Sequence, residues 1–127
     1  MDDSAPQIDH MDKRGLELQE LTNAMVRLYK DLFGRGPTKA RTAYADPDTI
    51  LATIQNSLTA AERNMVDLGE HQRVREIRMF FQHASEAEFT GTVEQITGRK
   101  VWGFVSGIDT DCDVSSEVFY LEPVPSE

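Results

Sequence analysis

Residues 28–44 have the sequence LYKDLFGRGPTKARTAY, which combines the end of a helix, a turn and the start of a strand. Gly34 is of the type that takes the left-handed conformation at helix ends. Pro37 lacks the N–H that a further helical turn needs. The stretch therefore predicts a helix over residues 13–33, then a strand over residues 38–45. The helix has apolar side chains at the three- and four-residue spacing of one helical face: Leu18, Leu21, Met25, Leu28, Tyr29 and Leu32.

A hairpin is predicted next, because residues 46–48 (Asp-Pro-Asp) are typical of a tight turn. The proline presets the turn dihedral, and the aspartates bond the local backbone. Residues 49–58 then alternate, with Ile50, Ala52 and Ile54 on one side of the strand and Leu51 and Thr53 on the other.

A second helical region is predicted from Thr59, because Thr59 and Glu62 have the spacing of a capping box. Gly69 should end its first helix. A longer helical run over residues 70–97 should bend at Thr90 and Gly91 and end at Gly98. The predicted inner positions are Leu58, Ala61, Met65 and Leu68 in the first helix, and Val74, Ile77, Phe81, Ala84, Val93 and Ile96 in the second.

Residues 100–109 and 114–121 alternate as a second pair of strands. The element order predicts an α+β two-layer sandwich (α-β-β-α(α)-β-β), in which one four-stranded antiparallel sheet carries the helices on one face. We expect one domain over residues 13–122, with tails at residues 1–12 and 123–127. The other face would hold either Trp102 and Phe104 or Val101 and Val105. That much exposed apolar surface suggests a homodimer through the sheet.

The chain of 127 residues carries a net charge of −9, and neither residues 1–12 nor residues 101–127 contain Lys or Arg. Nucleic acid and anionic membrane surfaces are therefore disfavoured partners, because both need a basic face. The acidic N-terminal residues do not form a signal peptide, and Cys112 is the one cysteine. We expect a cytoplasmic protein.

Four segments resemble the MpsC family: residues 29–37 (YKDLFGRGP), 38–42 (TKART), 58–62 (LTAAE) and 96–101 (ITGRKV). This is a bacterial domain of otherwise unknown function, named after the sodium-translocating membrane-potential-generating system. The resemblance covers roughly residues 13–122. It implies a role connected with that system, whose membrane components are linked to bicarbonate uptake, and it transfers no catalytic residues. Residues 85–92 (SEAEFTGT) and 109–113 (DTDCD) depart from the family pattern.

The candidate binding site is the basic cluster in the turn and strand after the first helix: Gly34, Arg35, Gly36, Lys39 and Arg41. Glycines let backbone N–H groups approach a ligand, and arginine offers a planar fork to carboxylate, phosphate or bicarbonate. The alternative is that the basic side chains neutralise the helix C-terminus, where anions are not favoured. A small anion and a protein partner both remain candidates.

The remaining polar motifs favour structural interpretations. Asp109, Asp111 and Asp113 begin like a calcium loop, but Val114 and Tyr120 stand where such a loop needs Gly and Glu. We therefore expect a solvated hairpin loop. Cys112 between two aspartates is not expected to be a nucleophile. No metal and no cofactor are predicted, because the three histidines lack ligand spacing.

Several charged residues on the second helical run predict a solvated face or, alternatively, a docking surface for an acidic partner: Glu70, Arg73, Arg75, Glu76 and Arg78. The favoured function is a non-enzymatic accessory or regulatory protein that binds a small anion or a protein partner, such as a membrane transport complex. One alternative is a mainly structural homodimer. Another is an enzyme on a small acidic metabolite, with Arg35 and Arg41 orienting the substrate and Tyr44 or a carboxylate carrying the proton.

Overall fold

The computed structural model describes the backbone of residues 5–125 and the side chains of residues 13–125. The elements in chain order are α1 (Ala5–Phe33), β1 (Lys39–Asp46), β2 (Thr49–Gln55), α2 (Ala60–Asp67), α3 (His71–Ala84), α4 (Glu86–Thr97), β3 (Val101–Asp109) and β4 (Val114–Leu121). The four strands form one antiparallel sheet in the order β1-β2-β4-β3. Helices α1, α3 and α4 contact the sheet, so the predicted α+β class is confirmed.

The core lies between α1, α4 and the two central strands. Ile50, Ala52 and Ile54 of β2 are buried, as their alternation predicted. They meet the α1 stripe, in which Leu21 and Met25 are also buried. Burying each large apolar side chain contributes about 1.5–3 kcal/mol, so this layer contact is a main source of stability.

No helix within residues 5–125 covers the other side of the sheet, which we call the open face. The strand register places four rows of residues across it, in the order β1, β2, β4, β3. The first row is Lys39, Gln55, Val114 and Asp109. The second row is Arg41, Thr53, Ser116 and Gly107. The third row is Ala43, Leu51, Val118 and Val105. The fourth row is Asp46, Thr49, Tyr120 and Gly103.

A bulge between Val101 and Gly103 changes which β3 side chains reach the open face. Both predicted pairings were wrong, because the bulge reverses the alternation after Trp102. Val101 and Phe104 pack on the core, whereas Trp102 is exposed with its ring 5.4 Å from that of Tyr120. A Cβ at Gly103 would lie 3.2 Å from Cδ2 of Tyr120, so this position favours glycine.

Three predicted helix ends agree with the structure, whereas the start of the first helix and the break in the second helical run differ from the prediction. Gly34, Gly69 and Gly98 have positive φ and follow the ends of α1, α2 and α4, as predicted. However, α1 begins at Ala5, inside the predicted tail of residues 1–12, of which residues 1–4 lie outside the described residues. After β4, residues 122–125 have no regular secondary structure, and residues 126–127 of the predicted C-terminal tail lie outside the described residues.

The helical run of residues 70–97 breaks at Ser85, not at Thr90 and Gly91. Ser85 ends α3, and Glu86 and Glu88 then occupy the first turn of α4, where acidic side chains favour a helix start. The Thr90 hydroxyl donates to the Glu86 carbonyl, which supports continuous helix through Gly91.

The predicted inner positions of α2 and α3 were largely wrong. Val74, Arg78 and Gln82 form the buried face of α3, and Glu62 is buried in α2, while Leu68 is exposed. Polar side chains can occupy a buried helix face when most of their polar atoms are hydrogen-bonded, as they are here except at Oε1 of Gln82.

The predicted capping box is present: the Glu62 N–H donates to Thr59 Oγ1 (3.2 Å) and the Thr59 N–H donates to Glu62 Oε1 (2.8 Å). Thr59→Ala should lower the free energy of unfolding by about 1 kcal/mol, because it removes one partner of a helix N–H. Urea unfolding measures this loss. Thr92→Ala within α4 is the control and should leave the midpoint nearly unchanged, whereas an equal loss in both variants would contradict a capping role.

Candidate functional site

The predicted basic cluster is divided between the two layers of the fold. Nη1 of Arg35 donates to the carbonyl of Leu58 at 2.7 Å, which ties the end of α1 to the start of α2. Gly34 takes the left-handed conformation, and Gly36 lies beside Val26.

Lys39 and Arg41 instead alternate on the open face of β1, where Nη1 of Arg41 lies 3.4 Å from Oε1 of Gln55. The structure therefore brings Lys39 and Arg41 onto one surface and directs Arg35 to another. Tyr44, the proton carrier in the enzyme hypothesis, lies on the helix side of β1 and donates to Glu17 at 2.8 Å.

The open face is apolar in its middle and charged at opposite edges. Its third row is entirely apolar, and Val105 in that row is 56% exposed. Trp102 extends this surface and is 65% exposed. Lys39 and Arg41 lie on the β1 edge, and Asp109 lies on the β3 edge. This arrangement suits a protein surface better than a small ligand.

A second apolar surface, the α3 strip, consists of Ile77, Met79, Phe80 and Phe81. Phe80 is 67% exposed and Met79 is 63% exposed. The rings of Phe80 and Phe81 lie 5.4 Å apart, edge to face. Ile77 and Phe81 were predicted to lie in the core, so this surface was not expected from the sequence. The available signal was the run of three large apolar residues from Met79 to Phe81, which cannot all face inward on one helix.

A buried carboxylate, Glu117, lies beneath α3 on the helix side of β4. Its side chain is 0% exposed. Oε2 accepts hydrogen bonds from the hydroxyl of Tyr29 (2.6 Å), from Oγ of Ser106 (2.9 Å) and from Nε2 of Gln82 (3.1 Å). Oε1 of Glu117 and Oε1 of Gln82 have no partner within residues 13–125.

Burial raises the pKa of Glu117 to about 7, against hydrogen bonds from Tyr29 and Ser106 that act to lower it. Burial and the nearby Glu117 carboxylate also raise the pKa of Tyr29 well above its ordinary value. The carboxylate therefore exchanges its proton near neutral pH, a property of functional groups and of buried structural networks alike. Glu117 was not among the predicted site residues, although its place on the same side of β4 as the apolar Phe119 and Leu121 indicates burial.

Next to this carboxylate, Arg78 and Glu62 form a buried ion pair. Nε and Nη2 of Arg78 donate to the two oxygens of Glu62 at 2.7 and 2.6 Å, and Nη2 also donates to the Ser57 carbonyl at 2.9 Å. The guanidinium lies over the ring of Phe33 at 3.7 Å. Burial acts to raise the pKa of Glu62, but hydrogen bonds from Arg78 and Thr59 outweigh it and hold the pKa below its ordinary value. The solvated position predicted for Arg78 was therefore wrong.

The aspartate hairpin is only partly the solvated loop that was predicted. Asp109 and Asp111 are exposed, but Asp113 is buried with a left-handed backbone (φ 52°). Its carboxylate accepts the N–H groups of Ser57 and Leu58 and pairs with Arg63 at 3.1 Å. Asp113 therefore organises the loop before α2. Cys112 is exposed.

The family model described as Na+-translocating membrane potential-generating system (MpsC) matches residues 13–123. The chain belongs to the MpsC family. The resemblance drawn from the four segments is thereby confirmed. No curated protein and no solved structure matches the chain. Within residues 5–125, no helix has the length and apolar character needed to cross a bilayer.

In this MpsC protein a groove runs between α3 and β3 beside the α3 strip. It is lined by Met79, Gln82, His83, Glu86, Phe104 and Ser106 and encloses about 140 Å³. Gln82 and Ser106 form part of its wall and also hold Glu117, whereas the space deeper toward Ser115 is only about 10 Å³. Space of that size holds at most about one water molecule. A polar network thus lies inside this structure, and exposed apolar side chains lie on both of its layers.

Proposed function

We propose that this MpsC protein is a non-enzymatic accessory or regulatory protein that acts in the cytoplasm by binding another protein of a membrane transport complex. The family description supports the link to a membrane-potential-generating system. The observation that carries the binding role is the α3 strip, four exposed large apolar side chains on one helix. Surfaces of this kind mark sites of protein interaction.

The residues of the α3 strip are of the types that supply binding energy. Aromatic side chains and methionine are enriched in the centres of interfaces. Moving an exposed Phe or Met into an interface contributes up to about 1.5–3 kcal/mol for each side chain. Phe81 is partly buried and contacts Phe33, with ring centroids 6.3 Å apart, so its position is set before a partner arrives. This preorganisation reduces the entropy cost of binding.

The charges near the strip indicate the chemistry of the partner. Arg73 and Arg75 are exposed on α3, in a protein whose net charge is −9. Arg73 pairs with Glu70 at 2.7 Å, and Arg75 makes no salt bridge within the described side chains. A partner segment with apolar residues beside acidic ones fits this surface, and an amphipathic helix is the usual form of such a segment. We therefore infer that α3 is a docking surface for an acidic partner, which was one of the two interpretations of its charged residues from the sequence.

A protein partner is favoured over the small-anion and enzyme hypotheses by the positions of the predicted residues. The anion site needs Arg35 beside Arg41, but Arg35 is bonded to Leu58 and Arg41 lies on the open face. The enzyme hypothesis also needs Tyr44, which bonds Glu17 on the helix side.

Phe80→Glu should reduce partner binding by at least about tenfold, because it places a charge at the centre of an apolar contact. The test is site-specific photocrosslinking in cells, with a photoreactive phenylalanine at position 80 and, as control, at position 68. Leu68 is 79% exposed and lies outside the α3 strip. We expect position 80 to give a crosslink to a membrane protein of the transport complex, identified by mass spectrometry.

A sodium-dependent membrane-potential measurement then compares Phe80→Glu with Leu68→Glu in cells that depend on the introduced gene. We expect only Phe80→Glu to lower the potential, while both variants keep the wild-type unfolding midpoint. Equal crosslinks at positions 68 and 80, or full function of Phe80→Glu, would refute a partner at the α3 strip.

A further inference from the structure

The open face shows a self-complementary pattern when its four rows are compared with one another. Its third row is apolar from edge to edge, and its second row carries Arg41, Thr53, Ser116 and Gly107. In the first row, Lys39 at the β1 edge and Asp109 at the β3 edge have opposite charge. A second copy of the same face can match the apolar third row and the opposite charges of the first row at once.

We propose that two copies of this protein associate through their open faces, around a two-fold axis that runs parallel to the strands between β2 and β4. This operation places β1 of one copy over β3 of the other without changing the row. The apolar third rows then face each other, with Val105 over Ala43 and Val118 over Leu51. Lys39 faces Asp109 of the second copy, and two-fold symmetry produces that pair twice.

The other face-to-face arrangement, with the two-fold axis across the strands, fits the surface less well. It reverses the order of the rows, so the apolar third row meets Arg41, Thr53 and Ser116 of the second row. Lys39 then faces Asp46 and Asp109 faces Gly103, so this arrangement also forms one kind of charge pair. Asp46 and Asp109 each accept backbone N–H groups in their own turns, so the apolar rows, and not the charges, distinguish the two arrangements. The row pattern therefore selects the axis parallel to the strands.

The size of the face indicates how strong the dimer is. Four strands of seven to nine residues, spaced by about 4.8 Å, give a flat footprint of roughly 500 Å² per copy. Side chains such as Trp102 enlarge the accessible area beyond that figure, which places the interface at the low end of specific interfaces. A dimer that dissociates on dilution into the micromolar range is the expected behaviour. Aligned packing of two twisted sheets is a common way to form such a layer.

The proposed dimer goes beyond the proposed function and does not compete with it. The helices cover the opposite side of each sheet, so both α3 strips remain exposed on the outside of the dimer. The dimer would present two docking surfaces to a partner, which raises its effective affinity for a complex with two sites.

The test is sedimentation velocity of the whole chain over a wide range of protein concentration. We expect the wild type to change from monomer to dimer. Lys39→Asp and Asp109→Lys should each weaken the dimer by about tenfold or more, because each places like charges opposite one another twice. The double variant with both changes should regain the dimer. Val105→Lys should abolish it, and Leu68→Lys on the helix side is the control.

Each result decides the proposal. A wild type that stays monomeric at the highest concentration would overturn it. A dimer that Val105→Lys leaves intact would place the contact on another surface. Restoration of a Lys39→Asp dimer by Asp46→Lys, and not by Asp109→Lys, would overturn the choice of axis. Thermal unfolding of every variant under monomeric conditions verifies that the surface changes leave the fold in place.

Discussion

Arg78→Ala is expected to lower the free energy of unfolding by about 3–5 kcal/mol, because it leaves the carboxylate of Glu62 buried without its cationic partner. Arg78 is 2% exposed and donates two hydrogen bonds to Glu62. Its guanidinium also bonds the Ser57 carbonyl and covers the ring of Phe33. The substitution therefore removes the neighbours of three groups at once, in a fold whose total stability is of the order of 5–15 kcal/mol.

Urea unfolding at neutral pH measures this effect through the midpoint, with an unchanged slope as evidence that the native fold is retained. The matched control is Arg73→Ala on the same helix. Its salt bridge with Glu70 is exposed, so the loss should be at most about 0.5 kcal/mol. If the two variants lose the same amount, the buried pair is not the source of the stability.

A second substitution separates the buried charge from the lost packing. Arg78→Met with Glu62→Gln leaves no ion in the pair, and the side-chain amide oxygen introduced by Glu62→Gln can still accept the N–H of Thr59. The double variant should therefore be more stable than Arg78→Met alone, as expected when an uncompensated carboxylate causes most of the loss. A double variant less stable than Arg78→Met would show that the Glu62 carboxylate stabilises the fold without Arg78.

Residues with local structural signals were predicted well from the sequence. The α1 stripe, the alternation of Ile50, Ala52 and Ile54, and the capping box at Thr59 depend on neighbours within a few positions. Arg78 gave no such signal, because its partner Glu62 is 16 positions away. Apolar periodicity assigns arginine to the exposed face of a helix. The predicted buried face of α3 was therefore rotated about the helix axis, and it wrongly included Ile77 and Phe81. The α3 strip was missed for the same reason.

Strand alternation predicted the positions of only those candidate site residues that lie within β1. Lys39 and Arg41 are two residues apart on β1, and they share a face as their spacing requires. Arg35 precedes the strand, and its direction is set by a contact with Leu58 that no local rule predicts. The bulge at Trp102 likewise depends on how β3 pairs with β4. Alternation alone therefore placed either Val101 or Phe104 on the open face, whereas both lie on the core side of the sheet.

The stability of the wild type is expected to fall by about 3 kcal/mol as the pH rises from the ordinary glutamate pKa to that of folded Glu117. The ordinary pKa is 4.5, and burial raises that of Glu117 to about 7. Between these values the unfolded chain loses the proton while the folded protein keeps it. The folded state therefore binds more protons, and its stability decreases as pH increases. Below pH 4.5 and well above pH 7 this contribution is constant.

Urea unfolding of the wild type and of Glu117→Gln over this pH range measures the effect. The amide has the same shape and no charge, so the variant should lack the fall, and above pH 7 it should be more stable than the wild type. Subtracting the stability-versus-pH curve of the variant from that of the wild type cancels the contributions of other titrating groups. One of these is Glu62, whose lowered pKa makes its contribution vary only at acidic pH. Parallel curves over the whole range would show that Glu117 does not titrate in this window.

Tyr29→Phe tests the cause of the shift, because the Tyr29 hydroxyl donates to Oε2 of Glu117 at 2.6 Å. This hydrogen bond stabilises the ionised carboxylate and lowers its pKa, in opposition to burial. Without it the pKa of Glu117 should rise further, and the fall in stability should continue to higher pH than in the wild type. The variant also leaves the carboxylate with one donor fewer, so its stability above pH 7 should be lower than that of the wild type. A fall that ends at the same pH in both proteins would mean that the Tyr29 hydrogen bond does not lower the pKa of Glu117.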